Sequence, residues 1–238
     1  KWAGKFSKKT AIAFKNAAKF FPKERTALLG NPVRTRILGG RADSAKDALS
    51  IYSDNPVILV TGGSQGAEKI NQAVADILPD LLKKYEIIHQ AGKANYEDVQ
   101  FETKTLLEHS EEKDKYHLFS FLDETRLREA YAASDLVIAR GGASAIFEIA
   151  ALGKPSIIIP LKNSAQDHQR ENAYEYGRAG ASVVIEEDNL SPHLLLSEIE
   201  RIFGNQLFRT GLGEAARKFA RLDASELIAR EILKLGLH

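Results

Sequence analysis

The sequence predicts an α/β fold with a doubly wound parallel sheet, and three observations support this prediction. After residue 56, short and almost continuously apolar segments alternate with longer segments that have helical periodicity. Strands that are apolar on both faces are typical of a parallel sheet with helices on each side. Glycine-rich turns directly follow two of the apolar segments. In such sheets, ligands bind beyond the carboxyl ends of the strands, at the point where the strand order reverses.

The first part of the chain has a different pattern. Residues 8–21 are predicted to form an amphipathic helix that ends near Pro22. Its apolar side chains recur at helical spacing, and they are Ala11, Phe14, Ala18 and Phe21. Residues 26–29 are predicted as a short strand that ends at Gly30-Asn31-Pro32, and residues 39–55 as a connection into a new domain.

Strands and helices alternate after this connection. The predicted strands are residues 57–61, 86–90, 117–120, 136–139, 156–160 and 182–185. The predicted helices between and after them are residues 67–84, 95–108, 124–133, 144–152, 167–178, 191–204 and 223–236. Short strands that alternate with helices indicate βαβ units and a parallel sheet.

The composition excludes several classes of protein. Of the 238 residues, 44% are hydrophobic and 27% are charged, which is typical of a water-soluble globular protein. The longest apolar runs, such as residues 157–159, are far shorter than the roughly 20 residues that a transmembrane helix needs. There is no cysteine, which excludes a disulfide framework and a thiolate metal site. Because the chain has no methionine and does not start like a signal peptide, we expect it to begin within a longer protein.

Charge is spread unevenly, although the net charge is only +1. Residues 1–41 contain eleven Lys and Arg side chains and a single acidic one, Glu24. Such a segment attracts nucleic acid or an anionic membrane surface, or it is simply the solvated face of a helix. Aromatic residues are not interleaved with these basic residues as they are in single-strand binders, so we expect no nucleic-acid partner.

The first candidate site is a glycine-rich turn at residues 61–66, Thr-Gly-Gly-Ser-Gln-Gly, between a predicted strand and a predicted helix. Glycine lets the backbone approach a phosphate closely, and the free N–H groups at a helix start favour negative charge. Ser64 adds a hydroxyl donor. The spacing matches neither a P-loop nor a dinucleotide fingerprint, so an ordinary tight turn is the alternative.

A second turn repeats this arrangement after the strand at residues 136–139. Arg140-Gly141-Gly142-Ala143-Ser144 leads into a helix that ends at Gly153. Two glycine-lined helix starts suit a diphosphate that links two sugars. Glu148 lies one turn after Ser144, where a carboxylate can accept hydrogen bonds from a ribose diol or only complement the helix dipole. The candidate phosphate-loop residues of the two turns are Gly62, Gly63, Gln65, Gly66, Gly141 and Gly142.

The third candidate site is the polar loop at residues 166–172, Gln-Asp-His-Gln-Arg-Glu-Asn. It follows the strand at residues 156–160, so we expect it at the same edge of the sheet. Its amide side chains suit sugar hydroxyls because they both donate and accept hydrogen bonds. An N-cap role for Asp167 and an ordinary polar loop are the alternatives, and a catalytic-base role for His168 is disfavoured.

Taken together, these motifs resemble the MurG family, whose members add N-acetylglucosamine to lipid-linked N-acetylmuramyl-pentapeptide. The match covers nearly the whole chain, and so many ordered motifs make a chance resemblance implausible. The matching motifs are Gly30-Asn31-Pro32-Val33-Arg34, Gly62-Gly63-Ser64-Gln65-Gly66-Ala67, His89-Gln90-Ala91-Gly92, Phe121-Leu122-Asp123, residues 134–143, Glu148, Gly153-Lys154-Pro155, Pro160-Leu161, Asp167-His168-Gln169 and Asn172-Ala173.

The resemblance implies a GT-B glycosyltransferase, with two Rossmann-like domains and the donor UDP-N-acetylglucosamine in the cleft between them. It implies that Leu122 contacts the uracil through its backbone, that Glu148 contacts the ribose, that Ser64 contacts the phosphates and that Gln169 contacts the sugar. The complete set of donor-contacting residues that it implies is Arg34, Ser64, Leu122, Ala143, Ser144, Ala145, Ile146, Phe147, Glu148 and Gln169.

The resemblance also implies partners and a location. The acceptor is an undecaprenyl-diphosphate-linked lipid, and the enzyme is peripherally associated with the cytoplasmic face of the plasma membrane. We expect no cofactor, since UDP-N-acetylglucosamine is a substrate. We expect no obligatory metal either, because the sequence has no Asp-x-Asp motif.

The chain departs from the family in its N-terminal part, where a whole acceptor domain precedes the motif at residues 30–34. Residues 1–36 are therefore predicted as a remnant of that domain with the linker, residues 37–205 as the UDP-sugar-binding domain, and residues 206–238 as C-terminal helices that pack back toward the acceptor domain. Because the proposed catalytic base belongs to the missing part, we expect no turnover by this chain alone. The alternatives are another UDP-sugar transferase, the donor domain of a UDP-N-acetylglucosamine 2-epimerase, and a non-catalytic donor-binding subunit.

Overall fold

A computed structural model describes residues 7–63, 66–162, 164 and 167–236. Near its start, the strands β1 (Thr10–Ile12) and β2 (Thr26–Leu28) form a separate parallel pair. The main sheet of this described part consists of β3 (Val57–Thr61), β4 (Glu86–Gln90), β5 (Tyr116–Phe119), β6 (Leu136–Ala139), β7 (Ser156–Ile158) and β8 (Val183–Val184).

The main sheet is parallel throughout, with the strand order β5-β4-β3-β6-β7-β8. The chain runs outward from β3 to β5 and then returns to β6 on the other side of β3. The order therefore reverses between β3 and β6, where Thr61 pairs with Ala139 at the carboxyl ends. This topology confirms the prediction of a doubly wound sheet, and it places the ligand-binding crevice of such folds beside these two strands.

Helices connect and cover the strands. They are α1 (Ala42–Ala48), α2 (Glu68–Leu81), α3 (Tyr96–Leu106), α4 (Glu124–Ala133), α5 (Ala143–Leu152), α6 (His168–Arg178), α7 (Pro192–Gly204), α8 (Gln206–Phe219) and α9 (Ala224–Gly236). Local signals mark several ends: the Asp123 side chain accepts from the Arg126 N–H at the start of α4, and Gly153 ends α5 in the left-handed conformation. Helix α1 lies within the segment that was predicted as a connection.

The continuous apolar pattern of the strands follows from burial on both faces. Val57 and Leu59 of β3 belong to one core, and Ile58 and Val60 belong to the other. All four side chains are completely buried. Helices α1, α4, α5 and α6 cover the first face, and α2 and α7 cover the second. Burial of each such side chain stabilises the fold by about 1.5–3 kcal/mol.

The predicted helix at residues 8–21 is wrong. Strand β1 occupies part of this range, and a 3-10 helix occupies Lys15–Phe20. Ile12 and Phe14 are buried, and a spacing of two is the period of a strand. Phe14 packs on Phe147 and Phe219, with ring centroids 5.2 and 6.0 Å apart. These partners are distant in sequence, so tertiary packing and pairing with β2 override the helical spacing.

The ends of the described chain lie close together. Lys9, just before β1, forms an ion pair with Glu231 of α9. Residues 9–11, 24–27 and 29 line a cavity of about 480 Å³ with residues of that helix. The boundaries of the three predicted domain segments stay a prediction. Over the described residues, the helices are all too short or too polar to cross a membrane.

Candidate functional site

A cavity of about 460 Å³ opens at the carboxyl edge of the main sheet, where β3 and β6 end. All three candidate loops of the sequence contribute to it. Its lining residues are Arg34, Thr61, Gly62, Gly63, Gly66, Gln90, Phe121, Leu122, Leu127, Tyr131, Arg140, Gly142, Ser144, Ala145, Glu148, Leu161 and Gln169.

The turn after β3 has a backbone shape that depends on glycine. Gly63 and Gly66 have φ angles of +81° and +80°, which side chains other than glycine rarely adopt. A Cβ on Gly66 would lie 2.3 Å from the Ala91 carbonyl oxygen, and one on Gly62 would lie 2.5 Å from the Ala67 nitrogen. The glycines are therefore required by the turn itself. The predicted Ser64 and Gln65 lie outside the described residues.

The turn after β6 leads into α5 within the same cavity. A Cβ on Gly141 would lie 2.5 Å from the Gln169 carbonyl oxygen, so this turn is packed against the start of α6. The first hydrogen bond of α5 runs from the Ile146 N–H to the Gly142 carbonyl, over 3.0 Å. The amides of residues 143–145 therefore have no partner within the helix, and they form its positive end. Ser144 and Ala145 line the cavity.

Glu148 is a buried carboxylate that is already paired. Its Oε1 accepts from Arg34 Nε at 2.7 Å, and its Oε2 accepts from Arg34 Nη2 at 3.0 Å. The side chain of Glu148 is 5% exposed and that of Arg34 is 49% exposed, so the pair lies at the cavity wall with the guanidinium toward solvent. The hydrogen bond to Glu148 raises the pKa of Arg34. Fork-shaped pairs of this kind are among the stronger and more specific hydrogen bonds in proteins.

Tyr131 of α4 completes the surroundings of Glu148. It is completely buried, and this burial raises the pKa of its hydroxyl together with the charge of Glu148 and a hydrogen bond to that residue. A neutral hydroxyl donates to a carboxylate, which helps to keep the buried charge of Glu148 solvated. The pairing with Arg34 spans 114 residues. Arg34 and Glu148 both belong to the predicted donor-contacting set, but their pairing with each other and the presence of Tyr131 were not predicted from the sequence.

Gln169 connects α6 to the loop after β7. Its Oε1 accepts from the Leu161 N–H at 3.1 Å, and its own N–H donates to Ser164 Oγ at 3.1 Å. Asn172 Nδ2 donates to the Gly141 carbonyl at 3.3 Å, which ties this helix to the second glycine turn. Asp167 occupies the N-cap position of α6, as the alternative predicts, but its side chain makes no capping hydrogen bond. 

Some predicted contacts do not face the cavity. Ile146 and Phe147 are 0% and 1% exposed and belong to the core, because a helix that covers a sheet turns one stripe inward. The side chains of this pair are not among those that line the cavity, and direct contact of residues 143–148 with a donor stays a prediction. Ala143 is half-buried against the same core. Leu122 lines the cavity with 3% exposure, and its contact with uracil stays a prediction.

Seven residues of the cavity wall are absent from the predicted contact and phosphate-loop sets: Thr61, Gln90, Phe121, Leu127, Tyr131, Arg140 and Leu161. Arg140 pairs with the buried Glu187 at 2.6 Å and donates to the Ile159 carbonyl at 3.3 Å. Gln90 and Arg140 lie where apolar strands end, and this position alone could have indicated them. Tyr131 lies within α4, so its position in the sequence does not indicate that it is part of the cavity wall.

The chemistry of the cavity is that of an anion and polyol site. It combines one helix start, a glycine turn, two arginines and amide side chains. Within residues 7–63, 66–162, 164 and 167–236, there is no group of three or more His, Asp or Glu side chains that could hold a metal ion. The direct contacts of these residues with a ligand stay a prediction.

A doubly wound sheet with a cavity at its reversal point is the architecture in which nucleotide-binding α/β domains place their ligand. The chain belongs to the family described as glycosyltransferase family 28 C-terminal domain, which matches residues 57–229. Together with its structural neighbours, this membership identifies the main sheet as the C-terminal, donor-side domain of the GT-B fold.

The relatives agree with this assignment. The chain is 38% identical over 225 residues to the UDP-N-acetylglucosamine--N-acetylmuramyl-(pentapeptide) pyrophosphoryl-undecaprenol N-acetylglucosamine transferase of Geobacter metallireducens, covering 93% of this chain and 59% of the relative. MurG of Acinetobacter baumannii has a TM-score of 0.67 at 23% identity, over 95% of this chain and 65% of that one. S. aureus MnaA, in a co-structure with UDP, has a TM-score of 0.71 at 18% identity. The match covers 99% of this chain and 63% of that one. The chain spans about three fifths of the length of the curated relatives it matches.

Proposed function

We propose that the cavity binds UDP-N-acetylglucosamine, and that the chain supplies the donor half of an inverting N-acetylglucosamine transfer. The acceptor of that transfer is undecaprenyl-diphosphate-linked N-acetylmuramyl-pentapeptide, and the product serves peptidoglycan synthesis. One observation carries the proposal: the two glycine turns follow the adjacent strands β3 and β6 and open into one cavity with Glu148 and Gln169. The Geobacter metallireducens relative has this activity in its name.

The diphosphate of the donor lies between the two glycine turns in this proposal. During transfer, the bond between the sugar and the diphosphate breaks, so negative charge develops on the leaving UDP. Backbone amides at the start of α5 are fixed before the reaction, so they stabilise this charge without reorganisation. Arg34 adds a positive charge at the same wall. These groups act in place of a metal, and no cofactor takes part.

The two sugars lie at opposite ends of the diphosphate. Glu148 accepts hydrogen bonds from the ribose diol; because Arg34 already donates to both of its oxygens, the ribose uses the remaining lone pairs or exchanges with Arg34. Leu122 contacts the uracil through its backbone. Gln169 contacts the N-acetylglucosamine and gives up or shares its bond with the Leu161 N–H.

The acceptor side of the reaction is proposed to lie outside this chain. The catalytic base and the lipid-binding surface belong to an N-terminal domain, and the enzyme works at the cytoplasmic face of the plasma membrane as a peripheral protein. A transfer assay with radiolabelled UDP-N-acetylglucosamine and the lipid acceptor, run on a protein that includes such a domain, separates this activity from epimerisation. Formation of UDP-N-acetylmannosamine, or of free N-acetylmannosamine and UDP by hydrolysis, without a lipid-linked product would contradict the proposal.

Donor binding is testable on the 238-residue chain itself by isothermal titration calorimetry. We expect UDP and UDP-N-acetylglucosamine to bind and ADP to bind much more weakly, since the base contact is specific for uracil. We also expect EDTA to leave both titrations unchanged. Equal binding of ADP and UDP, or loss of UDP binding in EDTA, contradicts the corresponding part of the proposal.

A further inference from the structure

Gln90 is a buried amide at the centre of the cavity wall. It is the last residue of β4, it is paired in register with Thr61 of β3, and it is 4% exposed. Its Nε2 donates to the Gly63 carbonyl at 2.9 Å. Its Oε1 accepts from the Leu122 N–H at 3.1 Å. One side chain therefore joins Gly63 and Leu122, which lie in different loops, 59 residues apart in the sequence.

The bond to Gly63 acts on the first glycine turn. The Gly63 carbonyl also accepts from the Gly66 N–H at 3.1 Å, so both of its lone pairs have donors within the protein. A carbonyl oxygen repels an anion when its lone pairs face that anion. Because two donors hold this oxygen, the turn keeps a conformation in which its dipoles do not oppose a bound phosphate.

The bond to Leu122 acts on the loop after β5. Leu122 is buried, and the next residue, Asp123, caps α4. The Leu122 N–H would be a buried donor without a partner if Gln90 did not accept from it. The bond therefore fixes the peptide that our proposed function places against the base of the donor.

The geometry points to Gln90 as a positioning residue that preorganises the phosphate end and the base end of the donor cavity through the two ends of its amide. This inference rests on the proposed function, because it assumes that a uridine diphosphate occupies the cavity. Gln90 suits the role because it carries one donor and one acceptor at the required separation. Glutamate keeps the acceptor toward Leu122 but loses the donor toward Gly63, and methionine loses both.

This difference gives a test with Gln90→Glu and Gln90→Met, in which uridine and UDP are titrated separately. Uridine is followed by NMR titration and UDP by calorimetry. Ordering a free loop on binding weakens affinity by about fivefold. Gln90→Met should therefore weaken uridine about fivefold and UDP more, about 25-fold. Gln90→Glu should leave uridine within about twofold of wild type and still weaken UDP about fivefold or more.

Uridine is the decisive probe, because it carries no charge and cannot be repelled by a new carboxylate. A purely structural role lowers the melting temperature and affects both ligands alike in both variants. Gln100→Met is the matched control: Gln100 donates to the Tyr96 hydroxyl on the exposed part of α3, away from the cavity, and both affinities should stay unchanged.

The titrations distinguish failure of the positioning role of Gln90 from failure of the proposed function. If wild type binds uridine and UDP but Gln90→Met binds uridine normally, or both variants weaken uridine equally, the positioning role is overturned and the proposed function stands. If wild type binds neither ligand, the proposed function fails and the role of Gln90 fails with it.

Discussion

The two walls of the cavity use opposite means to hold an anionic, hydroxyl-rich ligand. The turn after β3 is made of backbone whose shape depends on glycines with positive φ angles. The wall at Glu148 is made of side chains, and its carboxylate is already paired with Arg34 and close to Tyr131. The wall at the turn after β3 keeps its shape because its glycines have no Cβ that would clash with neighbouring atoms. The wall at Glu148 keeps its shape through hydrogen bonds between its side chains.

Because of this difference, substitutions in the two walls should impair different properties of the protein. Where there is no room for a Cβ, adding one carbon should mainly lower the stability of the fold. A wall of paired side chains is damaged by removing a charged group, and the damage appears in binding because the remaining polar groups lose their partner.

Gly66→Ala should cause the largest loss of stability. The new Cβ would lie 2.3 Å from the Ala91 carbonyl oxygen and 2.5 Å from Asn95 Nδ2, at a φ angle of +80°. Strain and overpacking together should lower the free energy of unfolding by about 3 kcal/mol. Urea unfolding measures it. Gly142→Ala is the control, because no atom lies within 4 Å of its added Cβ, and its stability should change by less than about 0.5 kcal/mol. Equal stability of the two variants would contradict the account of the wall at the turn after β3.

Glu148→Ala should cause the largest loss of binding. It removes the acceptor for Arg34 and Tyr131 and the proposed contact with ribose. A hydrogen bond to a charged group contributes about 1.5–3 kcal/mol, so UDP and UDP-N-acetylglucosamine should both bind roughly 10- to 150-fold more weakly by calorimetry. Glu200→Ala is the control, since Glu200 forms an exposed pair with Lys84 far from the cavity. Unchanged UDP affinity in Glu148→Ala would remove Glu148 from the site.

His89 lies beneath the wall formed by the turn after β3, and its protonation should make the stability of the fold depend on pH. Burial lowers its pKa from 6.5 to about 3, and its ring bonds the Tyr116 hydroxyl at 2.8 Å and Asn71 Oδ1 at 3.0 Å. The unfolded chain takes up a proton near pH 6.5 and the folded chain does not. The stability from neutral His89 is therefore complete above pH 6.5 and falls between pH 6.5 and 3, by about 1.4 kcal/mol per pH unit.

The corresponding variant is His89→Gln, whose amide can still donate to Asn71 and accept from Tyr116 but does not titrate in this range. Between pH 6.5 and 5, wild type should lose about 2 kcal/mol more of its unfolding free energy than the variant does. Parallel stability curves for the two proteins would show that His89 is not held neutral.

Gln169→Ala should have the smallest and most selective effect. It should weaken UDP-N-acetylglucosamine by about fivefold, near 1 kcal/mol, and leave UDP unchanged, because only the sugar-bearing ligand reaches Gln169. Calorimetry with both ligands measures the difference, and Gln72→Ala on the exposed side of α2 is the control. A loss of equal size for the two ligands would assign Gln169 to the nucleotide end instead.

The sequence predicted the elements whose signals are local. The bounds of β3, β4, β6 and α4 agree with the predicted segments. Strands β3 and β6 are almost continuously apolar, β4 has an apolar centre at Ile87 and Ile88, and Asp123 caps α4. The candidate loops met in one cavity because carboxyl ends of neighbouring parallel strands share an edge. 

The rest depends on contacts between distant parts of the chain. The segment of Ile12 and Phe14 has helical spacing, but β2 and Phe147 determine its conformation. The pairing of Arg34 with Glu148 and the bridge made by Gln90 join loops whose approach only the assembled sheet defines. No local pattern indicates which buried polar groups become partners.

Backbone amide NMR can establish whether both glycine turns contact one diphosphate. On titration with UDP, we expect the amide resonances of Gly62, Gly63 and Gly66 and those of Gly142, Ala143 and Ser144 to shift together and to saturate at the same UDP concentration. A response from only one turn, or different saturation points for the two, would contradict contact of both turns with one diphosphate.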